Sequence, residues 1–350
     1  MTTGGPEGVD LASLRTFFAD HVEGADGRPL HAELIAGGRS NLTYCISDGE
    51  RDWVLRRPPL GHVLPTAHDM SREYRVLSAL AHTDVPVPKT FALCEDVDVN
   101  GAPFYVMERV HGRILRTGEE MVALTKEQAA ACSRQLVDVL ARIHRVDYDA
   151  VGLGDFGHPD GFMERQVRRW GEQWERSKAA ELPEIDELGR RLRKAVPESG
   201  PPTIVHGDYR LDNTMLDGDD PGRIVAVLDW EMSTLGDPLA DVGLFLLYWG
   251  QADAQIIATG QAIEEQAGFA SRDEIVEMYA KETGRSVDNL DFYVVFAFYK
   301  LAIIVEGIAA RYRMGKTLGE GFEHMGQMVS SLVNEALDQA NRSSIPALRG

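Results

Sequence analysis

"IVHGDYRLDNTML", residues 204–216, is the stretch on which the reading of this chain turns. Ile204 and Val205 belong to a short apolar run that reads as a strand. A polar turn follows, carrying His206, Asp208, Asp212 and Asn213, and Thr214 to Leu216 read as a strand again. A surface turn could be this polar. The next segment argues otherwise: "RIVAVLDW", residues 223–230, is a second strand, and residues 217–222, "DGDDPG", are turn formers. A hairpin brings the residues at its open ends side by side. Asn213 and Asp229 are therefore expected to face each other, with Asp208 in the turn that feeds that end.

Three oxygen-bearing side chains then converge, and hard oxygen ligands are what Mg2+ prefers. Phosphoryl transfer needs this arrangement, because it is catalysed mainly by positioning and charge neutralisation. Asp208 is expected to accept the proton of the attacking hydroxyl, and Asn213 and Asp229 to hold Mg2+. The D-x-x-x-x-N spacing matches the catalytic loop of protein kinases, and Asp229 takes the place of their D-F-G aspartate. His206 is expected to pack beneath the loop and bond backbone rather than react. Asp212 is expected to be solvated or local to the turn. Asp237 and Asp241, in "LGDPLADVG" (235–243), are expected to brace backbone N–H groups of the loop.

Upstream, Leu11, Leu14, Phe17, Phe18 and Val22 recur at a helical period. From residue 30 the period changes to three short strands, joined by turns at Gly37–Gly38 and Asp48–Gly49, with Pro58 and Pro59 ending the third. Residues 66–82 read as an amphipathic helix bearing Tyr74, Leu77 and Leu80. Residues 90–110 read as a hairpin turning at Asn100–Gly101. Beyond His111–Gly112 helices dominate: 125–145, the tryptophan-bearing region 161–196, and the chain from Leu239 onward. Residues 341–350, "NRSSIPALRG", are expected to form a frayed tail.

In "AGGRSNLT" (36–43), Gly37 and Gly38 would let backbone N–H groups approach phosphates, and Ser40 and Asn41 could add donors. The third strand ends in "WVLRRPP" (53–59). Alternation turns Arg56 into the cleft, where it could grip phosphates, and Arg57 toward solvent. Glu73, on the following helix, is the acid expected to pair with Arg56.

The chain has 350 residues, which favours two lobes over one minimal domain. Its net charge of −19 argues against a nucleic-acid-binding face. Cys45, Cys94 and Cys132 are scattered and odd in number, which suggests neither disulfides nor a zinc site and fits a reducing cytoplasm. The N-terminus lacks the pattern of a signal peptide. The apolar run Phe292–Val305, interrupted by Lys300, reads as a buried helix rather than a membrane span.

"VHGDYRLDNTML" followed by "AVLDWEMSTLGDPLADVG" resembles the aminoglycoside phosphotransferase family of kinase-like enzymes. "GGRSNLTY", "WVLRRPP", "LPTAHDMSREYRVLSAL" and "LARIHRVD" also look like family segments, in the expected order. The likeness is closest to the branch whose module is fused, in some eukaryotic proteins, to acyl-CoA dehydrogenases. The resemblance implies an α+β, two-lobed, protein-kinase-like fold: a small antiparallel-sheet lobe with one helix (1–107), a hinge (108–112) and a larger, mainly helical lobe (113–350). It implies ATP or GTP as co-substrate. It further implies that "MERV", 107–110, is the hinge tetrad, with Met107 behind the base and the Glu108 carbonyl and Val110 N–H pairing with it. Arg56 stands where the family usually carries lysine. The acceptor would be a small-molecule hydroxyl, first a hydroxyacyl thioester or acid, second an aminoglycoside-like cation. A nucleotide-binding pseudokinase is the rival class. In the helical insert "GFMERQVRRWGEQWERSKAAELPEI" (161–185), Arg165, Arg168, Arg169, Trp170 and Trp174 could wall a pocket for an anionic group, or form a solvated helix with a tryptophan seam.

Overall fold

The computed structural model describes residues 5–35, 41–60, 69–178, 180–250, 263, 267–313 and 325–350. The N-terminal part runs α1 (Leu11–His21), β1 (His31–Leu34), β2 (Leu42–Ser47), β3 (Asp52–Arg57), α2 (Met70–Leu80), β4 (Thr90–Cys94), α3 (Val97–Asn100) and β5 (Phe104–Glu108). The strands form one antiparallel sheet in the order β1-β2-β3-β5-β4. The Asp48 carboxylate closes the β2–β3 turn by accepting from the Glu50 and Arg51 N–H groups.

Alternation along each strand gives the sheet two apolar faces. Tyr44, Ile46, Trp53, Leu55, Phe104 and Val106 pack beneath α1, against Leu14 and Phe18. On the opposite face Val54, Tyr105 and Met107 meet Val76, Leu77 and Leu80 of α2, in a core continuous with that of the helical lobe.

This covered outer face corrects two expectations. Alternation does send Arg57 away from the cleft, but not to solvent. It is buried beneath the N-terminal segment, where Nη1 donates to the Gly8 carbonyl at 2.5 Å and the Asn100 carbonyl at 3.0 Å. Asn100–Gly101 is likewise not a two-residue hairpin turn. It ends the one-turn helix α3, with Gly101 left-handed at φ 74°. The buried Asn100 amide accepts from Asp10 N–H and donates to Gly8 carbonyl, pinning the N-terminal segment to the sheet.

The larger lobe contains α4 (Gly118–Val122), α5 (Lys126–Arg145), α6 (Phe162–Ser177), α7 (Pro183–Ala195), β6 (Thr203–Val205), β7 (Thr214–Leu216), β8 (Ile224–Val227), β9 (Thr234–Gly236), α8 (Leu239–Gly250), α9 (Arg272–Thr283), α10 (Leu290–Arg313), α11 (Met325–Arg342) and α12 (Pro346–Arg349). A Thr125–Gln128 capping box starts α5. Helix α10 is long and apolar enough to cross a membrane by composition, but 83% of that window is buried inside the protein. It packs on α6, α8 and α11.

β7 and β8 form the expected hairpin, and β6 pairs with β9, a pairing with no hydrophobic signature in so short a segment. The tail is not frayed. The Ser343 hydroxyl and Ser344 N–H donate to Asp291, the Leu348 carbonyl accepts from Arg191, and the Leu348 side chain is fully buried in the main core.

Candidate active site

The polar turn after β6 is held from below. The fully buried Asp241 carboxylate, on α8, accepts from the N–H groups of His206 (2.7 Å) and Gly207 (2.8 Å). Burial alone would raise its pKa. The hydrogen bond and charge of His144, with the further pull of His206 and the Gly207 N–H, hold it below the ordinary aspartate value. Gly207 sits at φ 84°, and a Cβ there would lie 2.7 Å from the Met232 carbonyl oxygen, so only glycine fits. His206 packs against Trp230 at 4.7 Å between ring centroids. Its Nδ1 accepts from Asp208 N–H, which leaves the Nε2 proton for the Leu228 carbonyl at 3.0 Å. The ring therefore ties the turn to the end of β8. Asp237 caps α8 through Leu239 N–H and accepts from the Tyr293 hydroxyl at 2.6 Å.

Asp208 is partly exposed. Its Oδ2 accepts from Asn213 Nδ2 at 2.9 Å and lies 3.4 Å from Arg210 Nε. The same Asn213 nitrogen bonds the Asp208 carbonyl at 2.8 Å, so the amide fixes both backbone and carboxylate. Thr214 pairs with Val227, and Leu228 N–H bonds the Asn213 carbonyl at 2.8 Å. Asn213 and Asp229 therefore sit at one end of the hairpin. Asp229 is left-handed (φ 64°, ψ 61°), the one non-glycine residue at positive φ among the described residues. Such backbone strain concentrates at functional positions.

Above the hairpin, Arg56 Nη2 donates to Asp229 Oδ1 at 2.5 Å and its Nε to Glu73 Oε2 at 3.0 Å; Glu231 lies 3.9 Å away. Asn41 Nδ2 donates to Glu231 at 3.0 Å. Tyr105, the register partner of Arg56, is fully buried and hydrogen-bonds Glu73. Burial pushes the Glu73 carboxyl up to about 7 in spite of Arg56 beside it. The Arg56 guanidinium is held protonated: burial opposes its charge, but Glu73, Asp229 and Glu231 outweigh it.

A cavity of about 320 Å³ lies between sheet and hairpin. Asn41, Arg56, Glu73, Met107, Glu108, Val110, Asn213 and Asp229 all line it, with an apolar wall formed by Val54, Leu77, Met215 and Val227. Gly37, Gly38 and Ser40 lie outside the described residues. Asp212 also lines this cavity. It is local to the turn and partly exposed, as expected; partial burial pushes its carboxyl up, while Arg210 at 3.2 Å opposes the shift. A second cavity, about 820 Å³, opens on the other side of the turn at Gly207 and is walled by α6 and α10. Asp208 follows Gly207 of the second hollow in the chain and is bonded to Asn213 of the first. The insert divides accordingly. Arg165, Arg169 and Trp170 line the second cavity, Arg168 is solvated beside Glu172, and Trp174 is core.

Sequence reasoning missed Arg210, Tyr105, His144, Glu231 and Lys300. A cation two residues beyond Asp208 was a readable signal for Arg210. The others are brought to the site only by tertiary packing.

Residues 31–275 match the family described as phosphotransferase enzyme family, abbreviated APH. The chain belongs to that family. This phosphotransferase is 34% identical over 346 residues to acyl-CoA dehydrogenase family member 11 of Rattus norvegicus, a match covering 96% of the chain and 44% of the rat protein. The chain therefore spans less than half the length of that relative. A solved structure from Ralstonia eutropha, provisionally described as an aminoglycoside phosphotransferase, is 34% identical with TM-score 0.84, covering 96% of this chain and 99% of that one. A ternary complex of the aminoglycoside phosphotransferase APH(4)-Ia with AMP-PNP and hygromycin B shares the fold at 15% identity and TM-score 0.59, covering 92% and 98%. The phosphotransferase has the expected kinase-like α+β fold, and the expected kinship with modules of acyl-CoA dehydrogenase family members holds.

Proposed function

We propose that this phosphotransferase is a Mg2+-dependent small-molecule kinase that moves the γ-phosphoryl group of ATP, or of GTP, to a hydroxyl. The observation that carries the reading is the convergence of Asp208, Asn213 and Asp229 at one hairpin end, beneath the Arg56–Glu73 pair and beside a cavity. Residues 1–107 would form the nucleotide lobe, 108–112 the hinge and 113–350 the catalytic lobe. The base would slot between Val54 and Met107 on one side and Met215 on the other, with the Glu108 carbonyl and Val110 N–H at its edge. That the neighbour APH(4)-Ia was solved with AMP-PNP supports a nucleotide there.

The donor set suits Mg2+. Asn213 commits its nitrogen to Asp208, and Asp229 commits Oδ1 to Arg56. The amide oxygen of one and Oδ2 of the other are two hard ligands at one hairpin end, and Mg2+ commonly takes only one or two such protein ligands plus phosphate and water. When bound, the ion would neutralise charge on the phosphates. Asp208 Oδ would accept the acceptor's hydroxyl proton as its oxygen bonds to the γ-phosphorus and the bond to the leaving nucleoside diphosphate breaks. Asn213 keeps the Asp208 carboxylate oriented, and Arg56 neutralises the non-transferred phosphates.

For the acceptor, a hydroxyacyl thioester or acid is favoured over an aminoglycoside-like cation. Arg72, Arg165, Arg169 and Lys300 line the second cavity, and its carboxylates, Asp69, Asp155, Glu231 and Asp241, each have a partner within the protein, which suits an anionic group there better than a polycation. The name of the rat relative, with its acyl-CoA chemistry, agrees with that choice. The test is a panel of hydroxyacyl, aminoglycoside and amino-alcohol acceptors with labelled ATP and GTP. Asp208→Asn should lower turnover about 10²–10⁴-fold while nucleotide still binds. Undiminished turnover in that variant would overturn the assignment; nucleotide binding without transfer to any acceptor would favour a pseudokinase.

A further inference from the structure

The second cavity is lined by cations and polar donors, and one buried donor among them has no partner among the described residues. Its carboxylates are committed elsewhere: Asp69 caps α2 through Arg72 N–H, Asp155 pairs with Arg75, Glu231 accepts from Asn41, and Asp241 holds the catalytic turn. Two of its arginines are also satisfied. Arg72 donates to the carbonyls of Phe156 and Ser233, and Arg165 to those of Asp160 and His158.

Among the remaining polar groups, Lys300, Arg169 and Trp170 stand out. Lys300 projects from the apolar helix α10, and its Nζ makes one hydrogen bond, to the Gly207 carbonyl at 3.2 Å. The ammonium lies 5.8 Å from the centre of the Trp170 ring. The Trp170 indole N–H is buried and has no hydrogen-bond partner among the described residues. Arg169, one residue before it, is exposed and makes neither ion pair nor hydrogen bond among the described residues; burial pushes the Lys300 ammonium pKa down, Asp208 and Asp241 oppose that shift, and the Arg169 charge adds to it. A buried ammonium, an exposed guanidinium beside it and an orphaned buried donor thus stand at one wall, and an oxyanion there would pair with all three. An uncompensated buried N–H is rare enough to call for a partner.

We propose that Lys300, Arg169 and the Trp170 indole N–H form an oxyanion-binding subsite of the acceptor cavity, one that seats a carboxylate or phosphate group of the acceptor next to Asp208. The subsite rests on the kinase reading for its role in turnover, but not for its existence. Its donors are ammonium, guanidinium and indole, with no acceptor atom among them. A cationic acceptor is repelled by them, and a neutral one can accept a hydrogen bond but brings no charge to pair with the two cations. A free hydroxy acid and a coenzyme A thioester both carry such an oxyanion, the one as carboxylate and the other as phosphate.

The experiment compares a hydroxycarboxylate, its coenzyme A thioester, its neutral primary amide and an amino alcohol, in wild type, Arg169→Gln and Lys300→Met. At least one anionic acceptor should exceed the neutral amide at least tenfold in kcat/KM. Each variant should cut that ratio about ten- to a hundredfold, mainly through KM. Whether the acid or the thioester leads identifies the source of the oxyanion. A direct binding measurement runs beside this: sulfate titrated against tryptophan fluorescence should give a saturable change that is lost in Trp170→Phe and weakened in Arg169→Gln. Thermal unfolding and nucleotide titration check that Lys300→Met keeps its fold. An acceptor ratio unchanged in both variants, or a sulfate titration with no Trp170 component, overturns the subsite. Transfer to neutral and anionic acceptors alike, with sulfate silent at Trp170, would remove the subsite and leave the kinase reading standing. Sulfate binding at Trp170 with no acceptor phosphorylated would do the reverse.

Discussion

Glu73 is the residue at which protonation should be felt first. Its carboxyl rises from an ordinary 4.5 to about 7 because it is buried, and it orients Arg56 only as the anion. The nucleotide kcat/KM should therefore fall as pH drops through about 7, by roughly tenfold, the worth of one charge-assisted hydrogen bond. Glu73→Gln should sit on the low plateau with that acid limb missing; a limb that persists in this variant must be assigned to another group. Stability runs the other way. A carboxyl whose folded pKa lies above its unfolded one contributes stability that is complete below 4.5 and lost as pH rises through about 7. Arg57, next to Arg56 in sequence, has a different role on the other face. Arg57→Ala would strand the buried Asn100 carbonyl and take one of two donors from the Gly8 carbonyl, at a cost of about 2 kcal/mol in urea unfolding. Unchanged stability would mean that the N-terminal segment is not docked as described.

Among elements, the β7–β8 hairpin was legible because turn formers and two apolar runs bracket it, and because side-chain oxygens occur at both its ends. In the Arg56–Glu73 contact, strand alternation gave the inward turn of Arg56, and the acid on the following helix gave its partner. What escaped was set by layers beyond the sheet. Nothing local in "WVLRRPP" announces that α1 covers the face to which Arg57 turns. The C-terminal segment is a similar case. Serines, a proline and a glycine suggest fraying, yet Leu348 fills the core and Ser343 finds Asp291 fifty-two residues away. Ending the chain at Arg342 should lower Tm by roughly 4 °C or more, from about 2 kcal/mol of lost leucine burial. An unchanged Tm would show that α12 adds nothing to the core.

At the scale of the whole molecule, one core runs from the inner face of the sheet through α5, α8 and α10, and the candidate site lies along it. A site assembled across that span should couple to global stability. Nucleotide with Mg2+ at a hundredfold over its Kd should stabilise the protein by about 2.7 kcal/mol. Thermal unfolding with and without the ligand checks this, and a Tm indifferent to saturating ligand would count against the site. The helical composition of this lobe was plain from residue periodicity. The cavities were not, since Lys300 and Trp170 meet only because α10 crosses α6.

The Arg56–Asp229 bond gives the cleft a built-in stand-in for its cargo. The guanidinium holds one oxygen of the carboxylate that a metal ion would share, and the carboxylate holds the guanidinium that a phosphate would share. Cation and polyphosphate arriving together can exchange partners with this pair at nearly constant charge. Polyphosphate arriving alone must take Arg56 and leave Asp229 as a bare neighbouring anion. The cleft should therefore discriminate against bare nucleotide. Titration in chelator should give much weaker binding than with Mg2+, and Asp229→Ala should narrow the gap from both sides, weakening the metal-loaded form and admitting the naked one.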